Sequence, residues 1–157
     1  AGPVYLGRVL YQCKGELAEN SSLEVREGTR FICANAFEGC SNLQDIMIPS
    51  SVDSIGEDTF KGCTSLETAP DLPATTLAGW CYDEMFNGCT SLNSIKCLAT
   101  SGINVVNSTA IWVKGVASSG IFTADPSATS WPTGDNGIPT GWTRKNPDGS
   151  DWVDPEP

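Results

Sequence analysis

Phe37-Glu38-Gly39-Cys40-Ser41-Asn42-Leu43, Phe60-Lys61-Gly62-Cys63-Thr64-Ser65-Leu66 and Phe86-Asn87-Gly88-Cys89-Thr90-Ser91-Leu92 are three copies of one unit, Phe-x-Gly-Cys-x-x-Leu. Phe37 and Phe60 lie 23 residues apart, Phe60 and Phe86 26. A unit recurring at a short, nearly fixed period means stacked coils, because one such unit is too small to bury its own apolar side and must lean on the next. The other apolar positions keep the same beat. A shift of 23 aligns Leu23 with Ile46, Val25 with Ile48, Thr29 with Val52 and Ile32 with Ile55. A shift of 26 carries Ile55 to Cys81 and Ala69 to Ile95. Four partial coils follow, over residues 22–40, 41–63, 64–89 and 90–98.

Within a coil the local physics is legible. Ile46-Met47-Ile48-Pro49 reads as a short strand with Ile46 and Ile48 on one face. Pro49 stops it, having no amide hydrogen to give to a ladder. Val52 and Ile55 return to the interior. Glu57-Asp58-Thr59-Phe60 is expected as a single helical turn, ended by Gly62 in a left-handed conformation. Cys63 and Leu66 then point inward. The third coil carries three extra residues and two prolines, with Leu72-Pro73 in the place of Ile48-Pro49 and Leu77 in that of Val52. A bulged, irregular strand with its inward slots preserved is expected there.

The flanks divide by the same logic. Residues 1–21 hold Tyr5-Leu6-Gly7-Arg8-Val9-Leu10-Tyr11, whose partial alternation reads as a strand capping the open first coil. Residues 22–98 are the repeats. The repeat signature stops after Leu98, and residues 99–145 are expected as a C-terminal cap, with a helical turn over Ala110-Ile111-Trp112-Val113-Lys114 capped by Ser108-Thr109 and a strand at Gly120-Ile121-Phe122-Thr123. Residues 146–157, rich in proline and acids, read as a flexible tail or linker.

These coils resemble the BspA-like leucine-rich repeats, with about 23 residues per coil, of surface proteins from Bacteroides-type gut and oral bacteria. The resemblance rests on Ala36 to Leu43, on Ile46-Met47-Ile48-Pro49-Ser50-Ser51-Val52-Asp53-Ser54-Ile55-Gly56 and on Phe60 to Leu66. Ala69-Pro70 to Leu92 is similar to a subtype with proline in the strand. The resemblance implies a mostly β, right-handed leucine-rich-repeat solenoid of short strands and single helical turns, α/β by strict assignment, with about four coils and irregular caps. It also implies export to the cell surface, possession of an anchor elsewhere, and adhesion to host or microbial proteins or glycans. Such a fold is a platform and does not by itself fix function.

Composition narrows the chemistry. Nine Lys plus Arg stand against nineteen Asp plus Glu, a net charge of −10, which speaks against nucleic acid and anionic membrane as partners. No apolar run is long enough for membrane insertion. Ala1-Gly2-Pro3 is compatible with a mature or trimmed end. There is no histidine and no Cys-x-x-Cys, so neither a metal site nor a histidine-activated nucleophile is expected. Of the seven cysteines, Cys40, Cys63 and Cys89 share one slot and read as a ladder of buried thiols, Cys81 and Cys97 as core, and Cys13 and Cys33 as the disulfide candidates. Glu57 and Asp58, Asp83 and Glu84, and Asp151 and Asp154 are paired in sequence but read as solvated turn residues rather than a glycosidase pair across a cleft. No catalytic residue, cofactor or metal is expected. Phe37, Phe60 and Phe86 read as a buried spine.

The tryptophans are the outward candidates. Trp80 sits in the irregular coil, and Trp131, Trp142 and Trp152 in the last third. An exposed indole makes a platform for a sugar or a protein; a buried one seals the end of a solenoid. Trp80, Trp131, Trp142 and Trp152 are therefore the candidate contacts with a protein or glycan ligand, with Trp112, Trp131 and Trp142 also expected to serve as capping residues. A non-enzymatic adhesion module is the first functional reading. A spacer or display domain in a larger cell-surface or phage-tail assembly is the second.

Overall fold

The computed structural model describes residues 1–72, 74–103 and 105–155. Pro73, whose proline was expected to interrupt the third strand, lies outside the described residues, as do Asn104 and the last two of the tail. The strands are β1 (Gly2–Leu6), β2 (Val9–Lys14), β3 (Ser21–Glu24), β4 (Phe31–Ile32), β5 (Leu43–Met47), β6 (Ser54–Ile55), β7 (Ser94–Cys97), β8 (Ile121–Ala124) and β9 (Thr143–Lys145). They form a β-solenoid of about six turns, with no helix among the described residues.

The strands pair between coils, as the period requires. Leu23 in β3 faces Ile46 in β5, and Ile32 in β4 faces Ile55 in β6, both in parallel register. These are the alignments that the 23-residue shift predicts. Beyond the third coil β7, β8 and β9 continue a parallel sheet. At the start, the single strand expected over residues 5–11 is instead a hairpin. β1 and β2 turn at Gly7-Arg8 and pair antiparallel, while β2 also pairs in parallel with β4. The third coil has isolated bridges in place of a strand, Thr68 to Ser94, Leu72 to Cys97 and Thr76 to Ser101. Its inward slots Ala69, Leu72 and Leu77 are nevertheless buried, as the irregular sequence predicts.

The single helical turns are not formed. Asn35, Asp58, Glu84 and Ile111 occupy one slot on successive coils, two residues before the Phe position, and all are left-handed, with φ of 60°, 55°, 50° and 40°. A residue with positive φ cannot continue a right-handed helix. The backbone amides turn outward along the stack instead: Phe37 N donates to Thr59 O at 2.9 Å, Phe60 N to Met85 O at 3.1 Å and Phe86 N to Trp112 O at 2.8 Å. The same ladder shows that the coil register runs on past Leu98. Gly88 N donates to Lys114 O at 2.8 Å, so Val113-Lys114-Gly115-Val116 takes the place of Phe86-Asn87-Gly88-Cys89. The repeat glycines Gly62, Gly88 and Gly115 sit at φ of 72°, 80° and 78°, and a Cβ on each would come within 3.6 to 3.8 Å of the glycine one coil before. Those are ordinary contact distances, so it is the left-handed backbone that calls for glycine there.

Inside, Phe37, Phe60 and Phe86 are fully buried and stack at ring-centroid distances of 5.4 and 5.8 Å, nearly parallel. The residue before each Phe position is also buried, and it grows along the axis from Ala36 to Thr59, Met85 and Trp112. The coils lengthen in step, from 23 to 26 and then 27 residues. A longer coil encloses more volume, and protein interiors leave few voids, so the larger side chain fills what the extra residues open. Trp112 ends this series, stacked on Tyr82 at 6.1 Å and on Trp131 at 5.6 Å.

Candidate functional site

The extra residues of the third coil place its outward side chains against the coil that follows. Leu77 N donates to Ser101 O at 2.9 Å and the Thr76 and Ser101 hydroxyls bond at 2.9 Å. From that anchor the chain makes two tight turns, Val105 N to Gly102 O and Ser108 N to Val105 O, each at 3.0 Å. The Ser108 hydroxyl ties the loop down by donating to Ile103 O at 3.2 Å. The loop lies close to Gly79, where a Cβ would meet Val106 O at 3.3 Å and a Val105 methyl at 4.0 Å. Trp80 follows directly. Trp80, Val105 and Val106 are thus brought to one region of the surface, 54%, 47% and 72% exposed. Clustered apolar exposure of this kind marks interaction surfaces on soluble proteins.

Beside this patch is an open cleft of about 670 Å³. One wall is Ile103, Val105, Val106 and Asn107, the other is Pro132, Thr133, Asp135 and Asn136, and the stretch from Ser108 to Ile111 lies between them. The far wall is stitched in place. The Thr109 hydroxyl donates to Asn136 O at 2.8 Å, Ile111 N to the Asn136 side-chain Oδ1 at 2.7 Å, and the Trp112 indole Nε1 to Gly137 O at 2.9 Å. The polar side chains along the cleft are uncharged except for Asp135, the one carboxylate among its lining residues. The arrangement suits hydrogen bonding to a neutral polar ligand alongside apolar contact. Among the described residues, no group of three or more Cys, Asp or Glu is placed to hold a metal ion.

Ile111 in this cleft is strained. In earlier coils its left-handed slot holds Asn35, Asp58 and Glu84; here it holds a β-branched residue at φ 40°, a true outlier for that side-chain type. Replacing Ile111 by Asn, the residue type at position 35, is expected to stabilise the protein by about 0.5–1 kcal/mol and raise Tm by a few degrees. Thermal unfolding of I111N checks this, and a fall in Tm would show that no strain is stored there. Strain held by surrounding structure concentrates at functional sites.

The other tryptophans are placed differently. Trp131 and Trp142 are 7% and 9% exposed. Trp131 packs on Trp112 and edge-on to Phe122, and the Trp142 indole donates to Ala117 O at 2.7 Å. Trp152 is half-buried, with the Arg144 guanidinium 3.9 Å over its ring. Of the four candidate rings, Trp80 is the one that faces solvent. Val105, Val106, Asn107, Asp135 and Asn136 were not singled out from sequence. The signal within reach was Ser108-Thr109, read as the cap of a helical turn.

Asp151 and Asp154 are exposed, whereas Glu57, Asp58, Asp83 and Glu84 are only partly exposed. Lys61 bridges Asp58, at 3.1 Å, and Glu84 from the next coil; the lysine hydrogen bond holds the Glu84 carboxyl below its usual range, while partial burial raises that of Asp83. Burial pushes the Cys89 and Cys97 thiols up to about 12, so these two stay protonated at neutral pH.

A sequence profile described as a BspA type leucine rich repeat region matches this chain in six copies across residues 12–113. The six copies exceed the four coils read from the sequence, and the matched span runs on through the coil that holds Val113. No curated protein and no solved structure matches the chain. Among the described residues, no helix is long and apolar enough to cross a membrane.

Proposed function

We propose a function from one premise: this chain belongs to the BspA-type leucine-rich-repeat family. Repeat arrays of this kind work as rigid platforms that bind other proteins. The reading we favour is a non-enzymatic binding module of an exported bacterial surface protein, engaging a host or microbial protein or glycan. Its contact surface is the cleft beside the third coil, with Trp80, Val105 and Val106 on its shoulder and Asn107, Asp135 and Asn136 along its walls. The observation that carries this is an open cleft lined by the exposed Val105 and Val106, on a loop that packs against Gly79 beside the exposed Trp80. A spacer would gain nothing from that patch, and a hydrolase of the two-carboxylate kind needs a second acid across the cleft from Asp135.

The test is a screen of the purified chain on glycan and extracellular-matrix protein arrays, followed by titration of each hit with the Trp80→Ala variant. A central aromatic anchor contributes on the order of 2 kcal/mol to binding, or about 30-fold in Kd. That loss is expected for W80A, with unchanged Tm, since Trp80 is exposed. Clean failure on both arrays would leave the spacer reading. A hit that W80A binds as tightly would move the contact surface elsewhere.

A further inference from the structure

The cysteine row holds a pair that the repeat does not explain. In the second and third coils the repeat thiol donates to the Phe carbonyl of the coil before: Cys63 to Phe37 O at 3.1 Å and Cys89 to Phe60 O at 3.0 Å. Cys40 has no full coil before it. The N-terminal hairpin takes that position, held by Cys13 N donating to Ala36 O at 2.7 Å, and it presents Cys13. The hairpin thus sets the Cys13 and Cys40 side chains beside one another, close enough to interact. Both are half-buried, so solvent reaches them, whereas Cys63, Cys89 and Cys97 are buried.

We propose that Cys13 and Cys40 are a disulfide site, closed by exchange with a small-molecule disulfide, that fastens the N-terminal hairpin to the first repeat corner. The inference is independent of the cleft. Two neighbouring thiols on opposed backbone segments are placed for a bridge that ties those segments together. Cys13 is the entering nucleophile. Burial raises both thiols, Cys40 to about 12, while the neighbouring Cys40 side chain partly offsets the rise at Cys13. The Cys13 thiolate, its proton given to water, attacks one sulfur of the small disulfide and expels a thiolate. Cys40 then loses its proton, attacks the Cys13 sulfur of the mixed disulfide and expels the second. Two protein S–H bonds and one small-molecule S–S bond are exchanged for one protein S–S bond and two small thiols.

The chain is incubated folded with excess oxidised glutathione, quenched and alkylated in denaturant. Two of the seven thiols are expected to be lost. Digestion with trypsin and a Glu-specific protease, which cuts after Glu38 and so separates Cys33 from Cys40, should give one linked pair, Cys13 to Cys40. The closed loop is expected to raise Tm by roughly 10 °C over the reduced protein. Cys13→Ser should keep all six of its thiols and show no such rise, while Cys33→Ser should still lose two. Retention of all seven thiols, a glutathione adduct that goes no further, or a link between another pair would each overturn the proposal. If Cys40→Ser does not fold, the Cys13 and Cys33 variants decide alone.

Discussion

Replacing Trp112 by alanine is expected to remove about 4–5 kcal/mol of stability, the upper end for a buried aromatic. Trp112 is fully buried and contacts Tyr82, Phe86, Phe122 and Trp131, with centroids 5.6 to 6.2 Å away. Its indole also holds Gly137, the residue after the cleft wall. The loss should not be uniform. Coils of a solenoid contact chiefly their neighbours, so stability is a sum of local terms. The coils after residue 90 are expected to melt first, leaving the N-terminal coils folded and the transition no longer two-state. Trp112→Phe keeps a ring and drops the Gly137 bond, so it should cost about 1–2 kcal/mol. Urea titration followed by circular dichroism measures both. A single cooperative transition for W112A within 1 kcal/mol of the parent would contradict the packing described.

Gly102→Ala is expected to be nearly as damaging for a different reason. Gly102 has a φ of +77°, and a Cβ there would stand 2.0 Å from the Leu77 carbonyl oxygen. The backbone of the third coil runs where a side chain would go. Left-handed strain accounts for about 1–2 kcal/mol, and displacing that backbone for about 1–3 more. Gly28→Ala is the control, since Gly28 has a φ of +81° but open space around it. The difference in Tm between the two variants isolates the collision, and equal Tm values would rule it out. Because Gly102 begins the loop carrying Val105 and Val106, G102A should also disturb the cleft.

Much of the scaffold was legible because each inward slot repeats its chemistry. Ile46 and Ile55 were found from Leu23 and Ile32 by a shift of 23, and the parallel registers follow that shift. What repeats in backbone but not in side chain was hidden. Val113-Lys114-Gly115-Val116 is a repeat corner in which Phe and Cys have both become Val, leaving Gly115 as its one visible mark. The left-handed slot was hidden by its residues: Asn35 and Asp58 suit it, but Glu84 and Ile111 carry no such signal, and a helical turn was the ordinary reading of Glu57 to Phe60. The cleft joins Ile103 and residues 105–111 to Pro132, Thr133, Asp135 and Asn136, a pairing that depends on how the longer coils stack. Nor can sequence tell an indole that seals a core, Trp131, from one left in water, Trp80.

The ladder that joins Phe37 to Thr59 and Phe86 to Trp112 has a mechanical consequence. These hydrogen bonds lie along the stacking axis, between turns rather than within them. Tension applied between the two ends therefore loads the turns in series, and the weakest junction parts first while the rest stay wound. Each released turn of 23 residues pays out about 75–80 Å of chain. A protein built this way yields under a pull stepwise, lengthening like an uncoiling tether instead of snapping.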